Sequence, residues 1–284
     1  MTVNEQYQDI ALLEPASYTL LKRNGVIEPC STPILREHLL EVYVNSELTM
    51  RLVCVPQYLT ELALGRLLSE GIVNSANDVE YILICKYGRS AVIRLSRDIE
   101  REEKGANYVE VTPTCCTGNQ ILNDYFQTGR KMQAITPIPW ASSEVFALAD
   151  RFRDGMPLHG QTWATHSCFL ARNGELLFQC EDIGRHNALD KAIGYAMRME
   201  IPLNECIMYS SGRVPTDMVS KVIRAGIPIF CSKAAPTSEA VALAKEYGLT
   251  LICGAGSDQM KQFTGPPPTD QLSKQPVGTI KQSQ

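Results

Sequence analysis

Two adjacent cysteines, Cys115 and Cys116, stand in a polar run rich in turn residues, Thr112-Pro113-Thr114-Cys115-Cys116-Thr117-Gly118-Asn119. Directly after it, Ile121, Leu122, Tyr125 and Phe126 recur at helical spacing. The pair therefore precedes a helix N-terminus, whose partial positive charge favours thiolate, the nucleophilic form of a thiol. Cys116 lies nearer the helix start and is the favoured nucleophile, with Cys115 able to share its load. Two buried thiols, or a vicinal disulfide without function, fit the same residues. Zinc is not expected, because the chain has no Cys-x-x-Cys and no histidine near the pair.

A second concentration of chemistry is Glu181-Asp182-Ile183-Gly184-Arg185-His186-Asn187-Ala188-Leu189-Asp190-Lys191. An apolar strand-like run leads into it, and Ala188, Leu189, Ala192, Ile193, Ala196 and Met197 continue it as one helical face. Arg185, His186 and Asn187 thus fall where a strand hands over to a helix. Unpaired amides there attract an anion, and Arg185 adds a fixed fork of donors. A capped helix with a self-satisfied salt-bridge loop is the other reading of this stretch.

The elements that would position these residues fall into two halves with different rhythms. The first, residues 1–135, reads as strand-rich: a hairpin of 39–45 and 48–55, an amphipathic helix over 59–70 stopped by Gly71, and a second hairpin of 80–85 and 91–95. Residues 101–105 read as a solvated loop, and Thr136-Pro137-Ile138-Pro139 as a domain boundary. The second half, residues 136–263, opens with a hairpin turned by Asn173-Gly174. Helix and strand then alternate, which implies parallel crossover units with helices packed on a sheet. Residues 264–284 read as a disordered polar tail.

In such a sheet the strand-to-helix loops emerge at one edge, where ligands bind. Those loops carry Arg185, Arg213, Lys233, the hydroxyls of Thr237 and Ser238, and Gly254-Ala255-Gly256-Ser257. Together they suit a phosphorylated ligand such as a nucleotide. His166, at a strand start, is either a contact to that ligand or a satisfied core histidine.

Composition sets the outer limits. A net charge of −4 argues against a general binder of nucleic acid or membrane surface. No stretch reads as a membrane span or signal peptide, so a reduced, cytoplasmic setting is expected. There the remaining cysteines, among them Cys54, Cys85, Cys206, Cys231 and Cys253, act as small core hydrophobes.

Read in order, Leu68-Ser69-Glu70-Gly71-Ile72-Val73, Thr165-His166, the 181–191 stretch, Ser211-Gly212-Arg213, Ala235-Pro236-Thr237-Ser238 and Gly248-Leu249-Thr250-Leu251 closely resemble the FdhD family of formate dehydrogenase accessory sulfurtransferases. The resemblance implies a C-terminal cytidine-deaminase-like α/β/α domain beside a smaller strand-rich α+β domain. It implies a sulfur carrier that takes sulfur from a cysteine desulfurase as a cysteine persulfide. The sulfur then goes to the bis-molybdopterin guanine dinucleotide cofactor of formate dehydrogenase, with a guanine nucleotide as a mimic of that cofactor. It leaves room for a homodimer. The family's cysteine motif, Cys-Gly-x-Cys-Gly, is here Cys-Cys-Thr-Gly, and an ungapped count sets Thr114 and Thr117 at its cysteine positions. A shift of one or two residues restores Cys115 or Cys116. The family's C-terminal cofactor-binding stretch matches Gly254-Ala255-Gly256-Ser257-Asp258-Gln259, without the basic residue often found there.

Two further readings differ in class. A non-catalytic chaperone would bind the molybdenum cofactor but move no sulfur. A zinc deaminase would need His-x-Glu with Pro-Cys-x-x-Cys, whereas Thr165-His166-Ser167-Cys168 offers no glutamate two residues on.

Overall fold

The computed structural model describes residues 1–8, 10–96 and 132–270. Cys115 and Cys116, with the loop expected at 101–105, lie outside the described residues.

The first half builds a five-stranded sheet in the order β1-β6-β7-β4-β5 from β1 (Thr2–Glu5), β4 (His38–Val44), β5 (Glu47–Cys54), β6 (Val79–Ile84) and β7 (Ser90–Leu95). The β4–β5 hairpin turns on Asn45 and Ser46, both at positive φ (48° and 72°), the two-residue turn whose twist matches paired strands. Alternate residues, among them Leu40, Val42, Leu52, Ile82 and Ile93, are buried. Leu39, Val53 and Tyr81 on the other face are exposed. A separate two-stranded hairpin, β2 (Leu13–Leu21) with β3 (Ile27–Leu35), precedes β4.

Helix α1 (Leu59–Ser69) was expected to show water a polar face. Instead all its residues are buried, including Thr60, Glu61, Arg66 and Ser69. The reason is a second helix from the other half, α4 (Arg185–Arg198), which crosses it at Gly65 and Gly194. A methyl group at Gly65 would collide with the Asp190 carbonyl, and one at Gly194 with the Glu61 carbonyl. Only glycine lets the two backbones meet this closely.

The second half forms a six-stranded sheet in the order β13-β12-β11-β10-β8-β9. Its strands are β8 (His166–Arg172), β9 (Glu175–Asp182), β10 (Ile207–Ser210), β11 (Ile229–Ser232), β12 (Thr250–Cys253) and β13 (Lys261–Gln262). The hairpin β8–β9 turns on Asn173 and Gly174, and β10, β11 and β12 run parallel, as the alternation of elements implied. Cys168, Leu170, Met208, Phe230 and Leu251 face the helix layer of α1, α4, α5 (Thr216–Arg224) and α6 (Ser238–Glu246). The alternate residues Phe169, Ile207, Tyr209, Ile229 and Ile252 pack with Trp140 and with Val145 and Leu148 of α2 (Ser142–Arg153). The sheet is thus covered on both faces, the α/β/α arrangement expected. The helix layer is shared, since one core cluster runs from β4 to β12.

Residues 264–270, expected to begin the disordered tail, are tied to this body. Thr264 Oγ1 donates to Leu249 O (2.6 Å), Trp140 Nε1 to Pro266 O (2.9 Å), and Asp270 accepts the amides of Ser142 and Ser143 at the start of α2. Polar composition suggested disorder, but these groups satisfy a strand edge and a helix start.

Candidate functional site

The 181–191 stretch divides by role. Asp182, fully buried at the end of β9, accepts from Val55 N (3.1 Å), Gly184 N (3.1 Å), Asn187 Nδ2 (2.9 Å) and Lys191 Nζ (2.6 Å). Asn187 Nδ2 and Lys191 Nζ also reach Val53 O (2.7 Å) and Val55 O (3.1 Å) at the end of β5. These residues clasp the two halves together. Further along α4, Asp190 meets Ser69 Oγ (2.7 Å) and Lys221 Nζ (2.6 Å), with Arg66 3.6 Å away and itself paired to Glu70. Two cations and two carboxylates so balance one another out of water, as buried charges must. Burial, with Arg66 adding repulsion, pushes the Lys221 ammonium below its ordinary range.

Glu181 turns the other way. Its carboxylate accepts from the amides of Leu158 (2.8 Å) and His159 (2.7 Å) and from Thr165 Oγ1 (2.9 Å). It thereby fixes the short helix α3 (Pro157–Thr162) and the segment entering β8.

What remains of the motif, Arg185 and His186, faces the carboxyl edge of the sheet. Because β8 is antiparallel to β10, its first residue, His166, lies at that edge, paired across the ladder with Asp182. Serines at the strand ends hold the loops: Ser210 Oγ accepts from Gly212 N (3.1 Å), and Ser232 Oγ donates to Gly212 O (2.6 Å) and accepts from Ala234 N (3.1 Å). Gly212 packs directly on the Arg185 side chain, where a methyl would sit 2.7 Å from Arg185 Cβ. The glycine therefore brings the half-buried Arg185 beside the loop that carries exposed Arg213. Ser211 Oγ accepts from Ser167 N (2.9 Å) and lies 3.4 Å from His166 Nδ1. Burial, with Arg185, His159 and Arg213 nearby, holds the His166 ring below the ordinary histidine range.

His186 is 4% exposed, and neither ring nitrogen has a hydrogen-bond partner among the described residues; Nε2 lies 3.5 Å from Asp217 Oδ2. Burial, with Lys221, Arg185, Arg66 and His166 adding positive charge, pushes its pKa down to about 2. The ring is neutral at any physiological pH.

The other expected contacts divide. Lys233 is exposed at the same edge, but its Nζ lies over the Phe152 ring, 4.7 Å from the centroid, on the α2 side. Thr237 caps α6, accepting from Ala240 N (3.3 Å), so its hydroxyl serves the helix; Ser238 begins that helix and is exposed. Gly254 N and Ala255 N bond Ala234 O and Ser232 O, which ties the 254–259 turn to the β11 loop. Gly256 N bonds Gln259 O across that turn, Ser257 Oγ accepts from Arg153, and Asp258 and Gln259 are exposed. The structure thus gathers Arg185, Arg213, His166 and His186 most directly. It adds Ser211, which the sequence offers only within the Ser211-Gly212-Arg213 segment, and His159 and Asp217, which carry no sequence signal of their own.

Most described thiols are core residues. Burial pushes Cys54, Cys180 and Cys253 up to about 12 and Cys206 to about 11. Cys85 departs from the core reading: it is only partly buried, and although burial is the largest single influence and raises its pKa, its bonds to Ser90, Tyr87 and Arg89 together lower it. Among the described residues no three His, Cys, Asp or Glu side chains converge as a metal site, and no helix is long and apolar enough to cross a membrane.

Comparison with known proteins agrees with this architecture. A formate dehydrogenase accessory protein from Desulfotalea psychrophila, solved by crystallography, shares the fold with a TM-score of 0.72 at 24% identity, covering 90% of this chain and 98% of that one. The sulfur carrier protein FdhD of Listeria innocua is 27% identical over 246 residues, 85% of this chain and 93% of its own length. That of Bacillus pumilus is 31% identical over 230 residues, 81% of this chain and 87% of its own. The model of the FdhD/NarQ family matches residues 35–269. By this match, which spans the first sheet except β1, the whole second sheet and the helix layer between them, the chain belongs to the FdhD/NarQ family.

Proposed function

We propose that this protein is a sulfur carrier serving formate dehydrogenase, loaded by a cysteine desulfurase and delivering to the bis-molybdopterin guanine dinucleotide cofactor. Its relatives carry the name sulfur carrier protein, which supports the class of activity. The observation that carries the cofactor half of the reading is the packing of Arg185 on Gly212, which brings two guanidinium groups to one sheet edge beside His166. Guanidinium forks and helix N-termini suit the phosphates of a dinucleotide substrate. The neutral rings of His166 and His186 add hydrogen-bonding groups that bring no repulsion of their own.

In the loading step, a thiolate of Cys116 or Cys115 attacks the outer sulfur of the desulfurase persulfide. That sulfur–sulfur bond breaks, a new one forms on the carrier, and the desulfurase departs as thiolate. On delivery the acceptor supplies the electron pair for its new bond to the outer sulfur, the carrier's sulfur–sulfur bond breaks, and the carrier cysteine leaves as thiolate. The test is to treat the protein with a desulfurase and labelled cysteine, and to measure persulfide by mass spectrometry. The wild type should gain 32 Da (one sulfur atom) per chain, and a Cys115→Ala/Cys116→Ala variant should gain none and fail to activate formate dehydrogenase in cells. Full activation by that double variant would favour the chaperone reading instead.

A further inference from the structure

We propose that Trp163 is the platform on which the base of a nucleotide stacks when its phosphates occupy the carboxyl edge; this rests on the anion-binding edge of the sulfur-carrier reading. Trp163 is 82% exposed, the most exposed large apolar side chain among the described residues. It also holds φ at 55°, a left-handed backbone that a bulky residue adopts at a cost. Two unfavourable features at one residue, next to a ligand edge, call for a compensating role.

The backbone that carries the ring is held in place. Trp163 closes α3, its amide bonded to His159 O (2.8 Å), and Thr162 Oγ1 both donates to Leu158 O (2.8 Å) and accepts from Ala164 N (3.2 Å). The other end of α3 is fixed by the Glu181 carboxylate. The indole stands 5.3 Å from the His159 ring at 56°, and His159 Nδ1 is locked 2.9 Å from Thr165 O. With the backbone fixed, two side-chain torsions are all that binding must order, which is what makes an aromatic residue an efficient stacking surface.

The surroundings choose the ligand. Three residues on is His166, within the fields of Arg185, Arg213 and His159. The two nearest motif carboxylates are engaged elsewhere, Glu181 on α3 and Asp182 on Lys191. Cations for phosphate beside one open ring match a nucleotide, whose base has a flat π-face of the same kind. Gln161, Thr162 and Ala164, the neighbours of Trp163 in the chain, are polar or small.

The experiment titrates the full chain with guanosine diphosphate and, separately, with pyrophosphate, which has no base. Trp163→Ala should weaken guanosine diphosphate binding roughly 10-fold, in the range of one base–aromatic stack, and leave pyrophosphate binding unchanged. Trp163→Phe should retain most of the affinity. Arg213→Ala should weaken both ligands. Nucleotide should also quench the fluorescence of a Trp140→Phe variant, whose one remaining indole is Trp163. Wild-type affinity for guanosine diphosphate in Trp163→Ala, with Arg213→Ala still weakened, would overturn the stacking role while leaving the edge site standing. Binding of neither ligand by the wild type would remove the edge site and the stacking role with it.

Discussion

Replacing Asp182 by Ala removes the acceptor at the centre of the clasp between the two halves. Four donors lose their partner: the amides of Val55 and Gly184, the Asn187 side chain, and the Lys191 ammonium at 2.6 Å. Lys191 is fully buried and, among the described residues, would keep only the carbonyls of Val55 and Glu181, which solvate a charge without neutralising it. Removing one partner of a buried pair typically destabilises by about 3–5 kcal/mol. At about 2 °C per kcal/mol for a chain of this length, the melting temperature should fall by roughly 6–10 °C. Adding Lys191→Met removes the stranded charge as well. The double variant should therefore regain part of the loss, with a coupling of about 2 kcal/mol or more. Urea unfolding of the four proteins at pH 7.5, with calorimetric melting as a check, measures both quantities. A loss below about 1 kcal/mol in Asp182→Ala, or simple addition of the two single losses, would refute the clasp.

Three other outcomes are expected. His186 is neutral in the folded protein down to about pH 2 but takes up a proton near pH 6.5 when unfolded. Its stabilising contribution is thus complete above pH 6.5 and is lost as pH falls; by pH 5 about 2 kcal/mol should be gone, and His186→Gln should flatten that part of a urea-stability profile. Gly194→Ala drives a methyl into the Glu61 carbonyl and should destabilise by about 3 kcal/mol or leave the chain insoluble; urea midpoints equal to wild type would contradict the helix crossing. Truncation after Phe263 removes the Pro266 acceptor of Trp140 and the Asp270 cap of α2, so Trp140 emission should shift to the red.

The sequence was most legible where local chemistry decides structure. Asn173-Gly174 specified its turn, and the helix–strand alternation of the second half specified a parallel sheet with a ligand edge. Reading was weakest where contacts are long-range. The polar residues of 59–69 look like a solvent face until the far helix is known, because their partners Asp190, Arg198 and Lys221 lie more than a hundred residues away. Thr237 is expected as a ligand contact from its loop hydroxyl, whereas the structure has that hydroxyl cap α6. Residues 264–270 look disordered by composition, since nothing local says that a strand edge and a helix start need their polar groups.

The clasp separates lineage from activity. Of the eleven residues that make 181–191 so recognisable, Glu181, Asp182, Asn187, Asp190 and Lys191 spend their polar groups inside the protein. Only Arg185 and His186 turn to the edge. Selection on folding alone would keep the internal five in place, whatever became of the chemistry. A descendant could lose sulfur transfer and still display an almost intact signature. Within such a lineage, the informative markers of activity are the edge residues and the cysteine loop, and the famous-looking string marks descent.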